Sequence, residues 1–110
     1  MYVKGSYFSL SDRNYKENIA TLQDSLAKIQ LLRGVHFSWK DDAAQKPHVG
    51  LIAQEVEQVF PEVVSTDKDG KKSLEYGALI APLIEAVKEQ QGEIKELQAQ
   101  VKALQEQIKK

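Results

Sequence analysis

The sequence predicts an α+β fold: a small antiparallel sheet with packed helices, followed by a long C-terminal helix that forms a coiled coil. Apolar residues recur at helical spacing after Thr21 and then alternate with polar residues over Val35–Lys40. Residues 83–110 contain no proline and one glycine, and they consist largely of Glu, Lys, Gln, Ala and aliphatic residues. Helical and strand periodicities in one short chain indicate a mixed fold.

The composition argues against several classes of protein. The 110 residues carry a formal net charge of -1 and include no cysteine. The chain therefore lacks the basic surface that binds nucleic acid or anionic lipid, and it forms no disulfide or thiolate zinc site. No apolar run reaches the length of a membrane span. His36 and His48 have no carboxylate at metal-ligand spacing, so we expect no metal, no other cofactor and no small-molecule substrate.

The first predicted helix covers Thr21–Arg33 and is followed by a strand. Thr21 can cap this helix with Asp24 answering it, and Gly34 follows a basic last turn as a stop signal. Val35–Lys40 alternates between aromatic or aliphatic residues and polar ones, which predicts a half-buried strand. The helix presents one apolar stripe, formed by Leu22, Leu26, Ile29 and Leu32, and Ile19 lies three residues upstream of this stripe.

The central region predicts a second helix and a hairpin. Apolar residues at helical spacing indicate a helix over Ala53–Phe60, which Pro61 ends. Two short strands, Val63–Thr66 and Lys72–Glu75, flank an Asp-Lys-Asp-Gly turn. This turn resembles the start of a calcium loop, but no glutamate occupies its twelfth position.

The C-terminal region has a heptad repeat over four heptads. Eight of the nine core positions are aliphatic, and Gln90 is the ninth. Sustained a/d periodicity predicts a coiled coil, because a helix of about thirty residues reaches roughly 45 Å, beyond a small domain. Glutamine dominates the flanking positions, so periodicity leaves dimer and trimer open. The predicted seam is Ile80, Leu83, Val87, Gln90, Ile94, Leu97, Val101, Leu104 and Ile108.

The chemistry of Ser11 and Lys16 has two interpretations. A serine can attack a carbonyl if a lysine takes its proton, which requires that the lysine be desolvated or lie near another cation. Residues five apart do not share a helix face, so the pair can meet only if the intervening segment is irregular. Alternatively, Ser11 or Asn14 caps a helix, Glu17 completes a capping box, and Lys16 is solvated. Residue chemistry alone favours the capping interpretation.

Three segments together resemble one protein family from Ser11 to about Glu89. They read SDRNYKENIATLQDSLAKIQLLRGVHFSWK, GLIAQEVEQVFPEVV and LEYGALIAPLIEAVKE, and a coiled coil follows. This pattern is similar to the C-terminal intramolecular chaperone domain of phage tailspikes and tail fibres, a self-cleaving peptidase of the endosialidase type that also occurs in myelin regulatory factor. Tyr15 and Leu51 stand where that family commonly has Leu and Phe.

The resemblance implies a trimeric assembly domain that removes itself from its parent protein. Carried over, the cleaved bond is Leu10–Ser11, Ser11 is the nucleophile and Lys16 is the general base. Residues 1–10 would be the end of the parent fibre, residues 11–78 the α+β chaperone and protease domain, and residues 79–110 the trimerisation helix. Its partners would be two further copies and the upstream fibre. It would act in the host cytoplasm during virion assembly, and the parent protein would belong to the virion tail.

Other residues are candidates for supporting roles. Arg13 and backbone N–H groups can stabilise an oxyanion, and Asp12 can either cap a turn or take part in the reaction. Glu55 could orient Lys16, and His48 could help shape the site. Two rival functions are a trimerisation or attachment module of a fibre that does not cut, and the processing domain of a membrane-anchored transcription regulator.

Overall fold

A computed structural model describes residues 8–109, and its architecture is α+β as the sequence predicts. Helices α1 and α2 span Ser25–Ile29 and Ala53–Glu57, and helix α3 spans Ile80–Lys109. Residues 1–7, part of the predicted fibre remnant, lie outside the described residues. The strands are β1, β2, β3 and β4, which span Val35–Phe37, His48–Gly50, Val64–Thr66 and Lys72–Leu74.

The core is small and forms where α2 meets the hairpin and the start of α3. Its buried side chains are Val56, Phe60, Val63 and Leu79, and partly buried aliphatic residues from α1 and the strands pack around them. Val56 and Phe60 are four apart, so a helical turn presents both on one face. Pro61 begins a short 3₁₀ helix over Pro61–Val63. The predicted helix over Ala53–Phe60 therefore ends earlier, at Glu57.

The strands form two separate antiparallel pairs rather than one sheet. The β1–β2 pair aligns His36 with Val49, and the β3–β4 hairpin aligns Ser65 with Ser73. Strand β2 was not predicted, because three residues show too little alternation. Strand β1 ends at Phe37 rather than Lys40, since the backbone turns there and the N–H of Asp42 donates to the carbonyl of Trp39 at 3.2 Å.

The hairpin turn forms as the sequence predicts. Gly70 adopts φ +83°, a left-handed conformation that favours glycine. The Asp67 Oδ1 accepts hydrogen bonds from the backbone N–H groups of Asp69 and Lys71, at 2.8 and 2.9 Å. This carboxylate therefore closes the turn. The predicted strands are confirmed to within one residue at their outer ends, at Val64 and Leu74.

Helix α1 is much shorter than the predicted helix over Thr21–Arg33. Asp24 has φ 58° and ψ 30°, so the chain cannot continue the helix upstream, and its side chain makes no capping hydrogen bond. Glu89 from α3 instead accepts a hydrogen bond from the backbone N–H of Leu26. A carboxylate near a helix N-terminus satisfies donors that have no partner within the helix. The cap is thus supplied from a distant part of the sequence.

Helix α3 has one flank turned inward and another that is exposed. Pro82 and Ala86 are buried, and α1 packs along this part of the helix. Eight aliphatic residues of the predicted seam lie on the exposed side, with exposed fractions from 43% at Ile94 to 83% at Ile108. Such a long apolar row is unusual for a surface in contact with water only. The predicted long helix is confirmed, and a single chain leaves the seam uncovered.

Gly50 lies where two aromatic side chains leave no room for a Cβ. A Cβ at this position would meet the Tyr76 hydroxyl at 2.7 Å and the Phe37 Cε1 at 3.2 Å. The same hydroxyl accepts a hydrogen bond from the backbone N–H of Leu51, at 3.0 Å. Glycine at position 50 therefore lets Tyr76 join the end of β2 to the 3₁₀ helix over Tyr76–Leu79, which precedes α3.

Substitution of Gly50 by alanine will destabilise the fold. The new methyl group must displace the Tyr76 ring, so we expect a loss of about 1–3 kcal/mol in the free energy of unfolding. Urea unfolding at fixed protein concentration measures it. Gly34→Ala is the matched control, because nothing lies within 4 Å of a Cβ there. Equal stabilities for the two variants would contradict this account of Gly50.

Candidate functional site

The segment before α1 holds the candidate site and is exposed from residue 8 to residue 24. A 3₁₀ helix over Arg13–Tyr15 interrupts its irregular path. Asp12 caps this turn, since its Oδ1 accepts a hydrogen bond from the backbone N–H of Asn14 at 2.9 Å. Asp12 therefore caps a turn, which is one of the two roles that the sequence allows for it. Neither Ser11 nor Asn14 is the capping residue.

The turn brings Ser11 and Lys16 together. The Lys16 Nζ donates a hydrogen bond to the Ser11 Oγ at 2.7 Å. Lys16 itself has extended backbone angles, φ -119° and ψ 151°, and its N–H closes the turn onto the Arg13 carbonyl. This contact between residues five apart forms because the segment between them is irregular, since on a continuous helix they would not share a face. A nucleophile within hydrogen-bond reach of a potential base is the geometry that covalent catalysis requires.

Leu10 precedes this pair and is 78% exposed. The carbonyl carbon of Leu10 is bonded to the nitrogen of Ser11, so the serine hydroxyl and this carbonyl belong to adjacent residues. Attack within one chain needs little loss of translational entropy. Arg13 lies in the 3₁₀ turn between the two side chains of the pair. The arrangement can support attack on the preceding peptide bond.

Glu55 lies apart from the Ser11–Lys16 pair and binds Arg33 instead. Both carboxylate oxygens accept from the guanidinium, each at 2.9 Å. The hydrogen bonds from Arg33 are the main cause that lowers the pKa of Glu55, and those to Glu55 raise the pKa of Arg33. The pair ties α2 to the turn after α1. Within residues 8–109, no hydrogen bond links Glu55 or His48 to Ser11 or Lys16.

His48 belongs to an aromatic groove on the β1–β2 sheet. Its ring stacks on Phe37 with centroids 5.5 Å apart, and Trp39 lies edge-on to Phe37 at 5.1 Å. The groove has a volume of about 1130 Å³ and reaches Tyr76. The sequence pattern does not predict this groove, because it does not predict strand β2 and only the pairing of β1 with β2 brings these rings together. Alternation over His48–Gly50 is too short to have signalled it.

Within residues 8–109, no group of three or more His, Cys, Asp or Glu side chains is arranged to hold a metal ion. None of the helices in that range is both long and apolar enough to cross a membrane.

Acid will weaken the contribution of the Glu55–Arg33 ion pair to the free energy of unfolding. Because the folded state lowers the pKa of Glu55 below its ordinary value of 4.5, this contribution is present above that value and is lost as pH falls through the lowered pKa. We expect Glu55→Gln to reduce stability near neutral pH and to flatten the decline in acid. The side chains of Arg33 and Glu55 are 68% and 40% exposed, so the effect is small and salt weakens it.

Denaturant unfolding at low ionic strength, from about pH 6 down to about pH 3, measures this difference. Glu62→Gln is the control, because Glu62 is exposed in the 3₁₀ helix over Pro61–Val63. This account of the ion pair is contradicted if the free energy of unfolding of Glu55→Gln falls with decreasing pH as steeply as that of the unmodified chain.

The part of the chain that contains Ser11 and Lys16 is similar to known proteins. The profile of the family Peptidase_S74, described as chaperone of endosialidase, matches residues 11–65. The long tail fiber protein Gp37 of Escherichia phage AR1 is 31% identical over an alignment 87 residues long, and the alignment covers 72% of this chain and 8% of that protein. The match to the family profile begins at Ser11 and includes both Lys16 and Glu55. The chain belongs to the chaperone of endosialidase family.

Proposed function

We propose that the chain is an intramolecular chaperone that trimerises and aligns a phage tail-fibre or tailspike protein, and then releases itself by cutting the Leu10–Ser11 bond. The observation that carries the proposal is the 2.7 Å hydrogen bond between Lys16 Nζ and Ser11 Oγ, at the N-terminal edge of the region that the family profile matches. The parent protein would belong to the virion tail, and assembly would take place in the host cytoplasm. Similarity to a long tail fiber protein supports this setting.

The proposed reaction uses Ser11 as nucleophile and Lys16 as general base. Neutral Lys16 takes the proton from Ser11 Oγ, which adds to the Leu10 carbonyl carbon. The bond from this carbon to the Ser11 nitrogen then breaks, the nitrogen receives the proton from Lys16, and an ester joins Leu10 to Ser11 Oγ. Water hydrolyses the ester and leaves a carboxylate on Leu10 and a free amine on Ser11. Arg13 and backbone N–H groups are the candidate donors to the oxyanion.

A lysine acts as a base near neutral pH when loss of water around the ammonium, or a neighbouring cation, favours its neutral form. Ser11 and Lys16 are exposed in the single chain, so the covering must come from outside it. Neighbouring subunits or the upstream fibre can supply it on assembly. Cutting would then follow trimerisation, which is the order that a chaperone requires.

The exposed seam of α3 supports the trimerisation step. Its aliphatic residues continue at a and d spacing to Ile108, and packing against two further copies would bury them. A coiled coil holds three fibre chains in register and lowers the entropy lost when they meet. Removal of the coil after folding would leave a fibre that cannot unfold by the reverse path.

Replacement of either member of the pair will abolish cutting. We expect Ser11→Ala and Lys16→Met each to remain trimeric and intact, whereas the unmodified chain yields a product that begins at Ser11. Loss of a general base lowers such rates by about 10²–10⁴. Intact mass and N-terminal sequencing measure the product, and Ser9→Ala is the matched serine control.

Two results would contradict this part of the proposal. Cutting that persists in Ser11→Ala would remove Ser11 as nucleophile. An unmodified chain that stays intact in a proven trimer, with its upstream segment folded, would leave the fibre module that does not cut.

A charge in the seam will prevent assembly. Leu97 is a d residue, and replacing a buried leucine costs about 2–5 kcal/mol before the cost of the charge. Leu97→Glu should therefore sediment as a monomer, whereas Ala99→Glu, which adds the same charge at the outward f position, should remain trimeric. Sedimentation equilibrium measures both. A trimeric Leu97→Glu, or an unmodified chain that is monomeric or dimeric, would overturn the proposed trimer.

A further inference from the structure

The first heptads of α3 carry an apolar surface wider than a coiled-coil seam. Ile84, at heptad position e, is 52% exposed and lies beside Ile80, Leu83 and Val87, which are also exposed. The later e positions hold Gln91, Gln98 and Gln105. The only aliphatic e residue among these four heptads is therefore Ile84, where α3 lies beside the globular part of the chain. This indicates a contact at Ile84 that the later heptads do not make.

The opposite flank of α3 carries α1 of the same chain. Ala86, at position g, is buried, and so is Pro82 at position c. Glu89 occupies the next c position and accepts a hydrogen bond from the backbone N–H of Leu26 in α1. At 3.6 residues per turn, Ile84 lies about 140° from Glu89 and about 160° from Ala86 around the helix. Helix α1 of its own chain therefore cannot cover Ile84.

In a parallel coiled coil, the e flank of one helix faces the g flank of its neighbour. We infer that Ile84 of each subunit docks against α1 of the adjacent subunit, so that α1 lies between two α3 helices. This inference rests on the proposed trimer. Its occupant is a second copy of this chain, because the Ile84 flank is continuous with the seam and lies at the same height as Pro82 and Ala86.

The receiving surface offers aliphatic side chains at both ends of α1. Leu22 precedes the helix and is 46% exposed, and Leu31 follows it and is 72% exposed. Both keep a substantial exposed apolar surface within their own chain, against which an isoleucine side chain of a neighbour can pack. Ile84, Leu22 and Leu31 would then be buried together on assembly.

This contact also links assembly to the candidate site. The exposed segment with Ser11 and Lys16 runs directly into α1, since its last residue, Asp24, immediately precedes Ser25. A neighbour that holds α1 on its outer side restricts this segment and brings protein surface beside it. Ile84 is thus a positioning residue that acts through α1, and it does not touch the reacting atoms.

A photoreactive amino acid at position 84 of the full chain tests the contact. Differently isotope-labelled chains are mixed, irradiated and mapped by mass spectrometry, with the same probe at Gln98 as control. We expect position 84 to crosslink to residues 19–33 of another copy and position 98 to crosslink only to the helix of another copy. Crosslinks from position 84 within its own chain, or to another copy outside residues 19–33, would overturn the inference.

The Ile84→Glu variant tests the consequence for release, with Ile84→Leu as the conservative variant and Gln98→Glu as a charge control at the same heptad position. We expect Ile84→Glu to remain trimeric and to release residues 1–10 at least about fivefold more slowly, a ratio within the usual range of coupling between sites. The other two should release at the unmodified rate. An Ile84→Glu trimer that cuts at the unmodified rate overturns the positioning role.

Failure of this inference is distinguishable from failure of the proposed function. If the unmodified chain forms no trimer or does not cut, the proposed function fails and the inference fails with it. If the unmodified chain trimerises and cuts while Ile84 crosslinks elsewhere, only the inference is overturned.

Discussion

The packing of α1 against the first turns of α3 is the contact on which the remaining structure depends. It turns one flank of the long helix inward, where Pro82 and Ala86 are buried, and leaves the adjacent apolar row outward. The N-terminus of α1 receives its cap from Glu89 on α3. Because α1 has five residues, too few to be stable alone, its existence depends on this contact.

The same contact fixes the position at which the exposed N-terminal segment joins α1. Asp24 turns the chain out of the helix in a left-handed conformation, so residues 8–24 leave α1 as an irregular arm. Irregularity is what allows Ser11 and Lys16 to meet across a short 3₁₀ turn. A continuous helix would have placed them on different faces. The geometry of the candidate site is therefore local, while its position on the molecule is set by α1 and α3.

Water around the ammonium favours the charged form of a lysine and so opposes its action as a base. The single chain provides the hydrogen bond, and the assembled chaperone would provide the enclosure. This division would give a chaperone a simple order of events: the chains join through α3, the fibre folds, and the covered pair then acts. Under the proposed function, assembly would cover both the exposed seam and the exposed arm.

Much of this could be predicted from the sequence because the signals are local or strictly periodic. The heptad pattern predicts α3, the Asp-Lys-Asp-Gly turn predicts the hairpin, and the residues between Ser11 and Lys16 permit their contact. Tertiary structure decided what depends on distant partners: the short α1 capped by Glu89, the pairing of β2 with β1, and the binding of Glu55 by Arg33. Each joins residues far apart in sequence, and short elements take their stability from packing rather than from their own propensity.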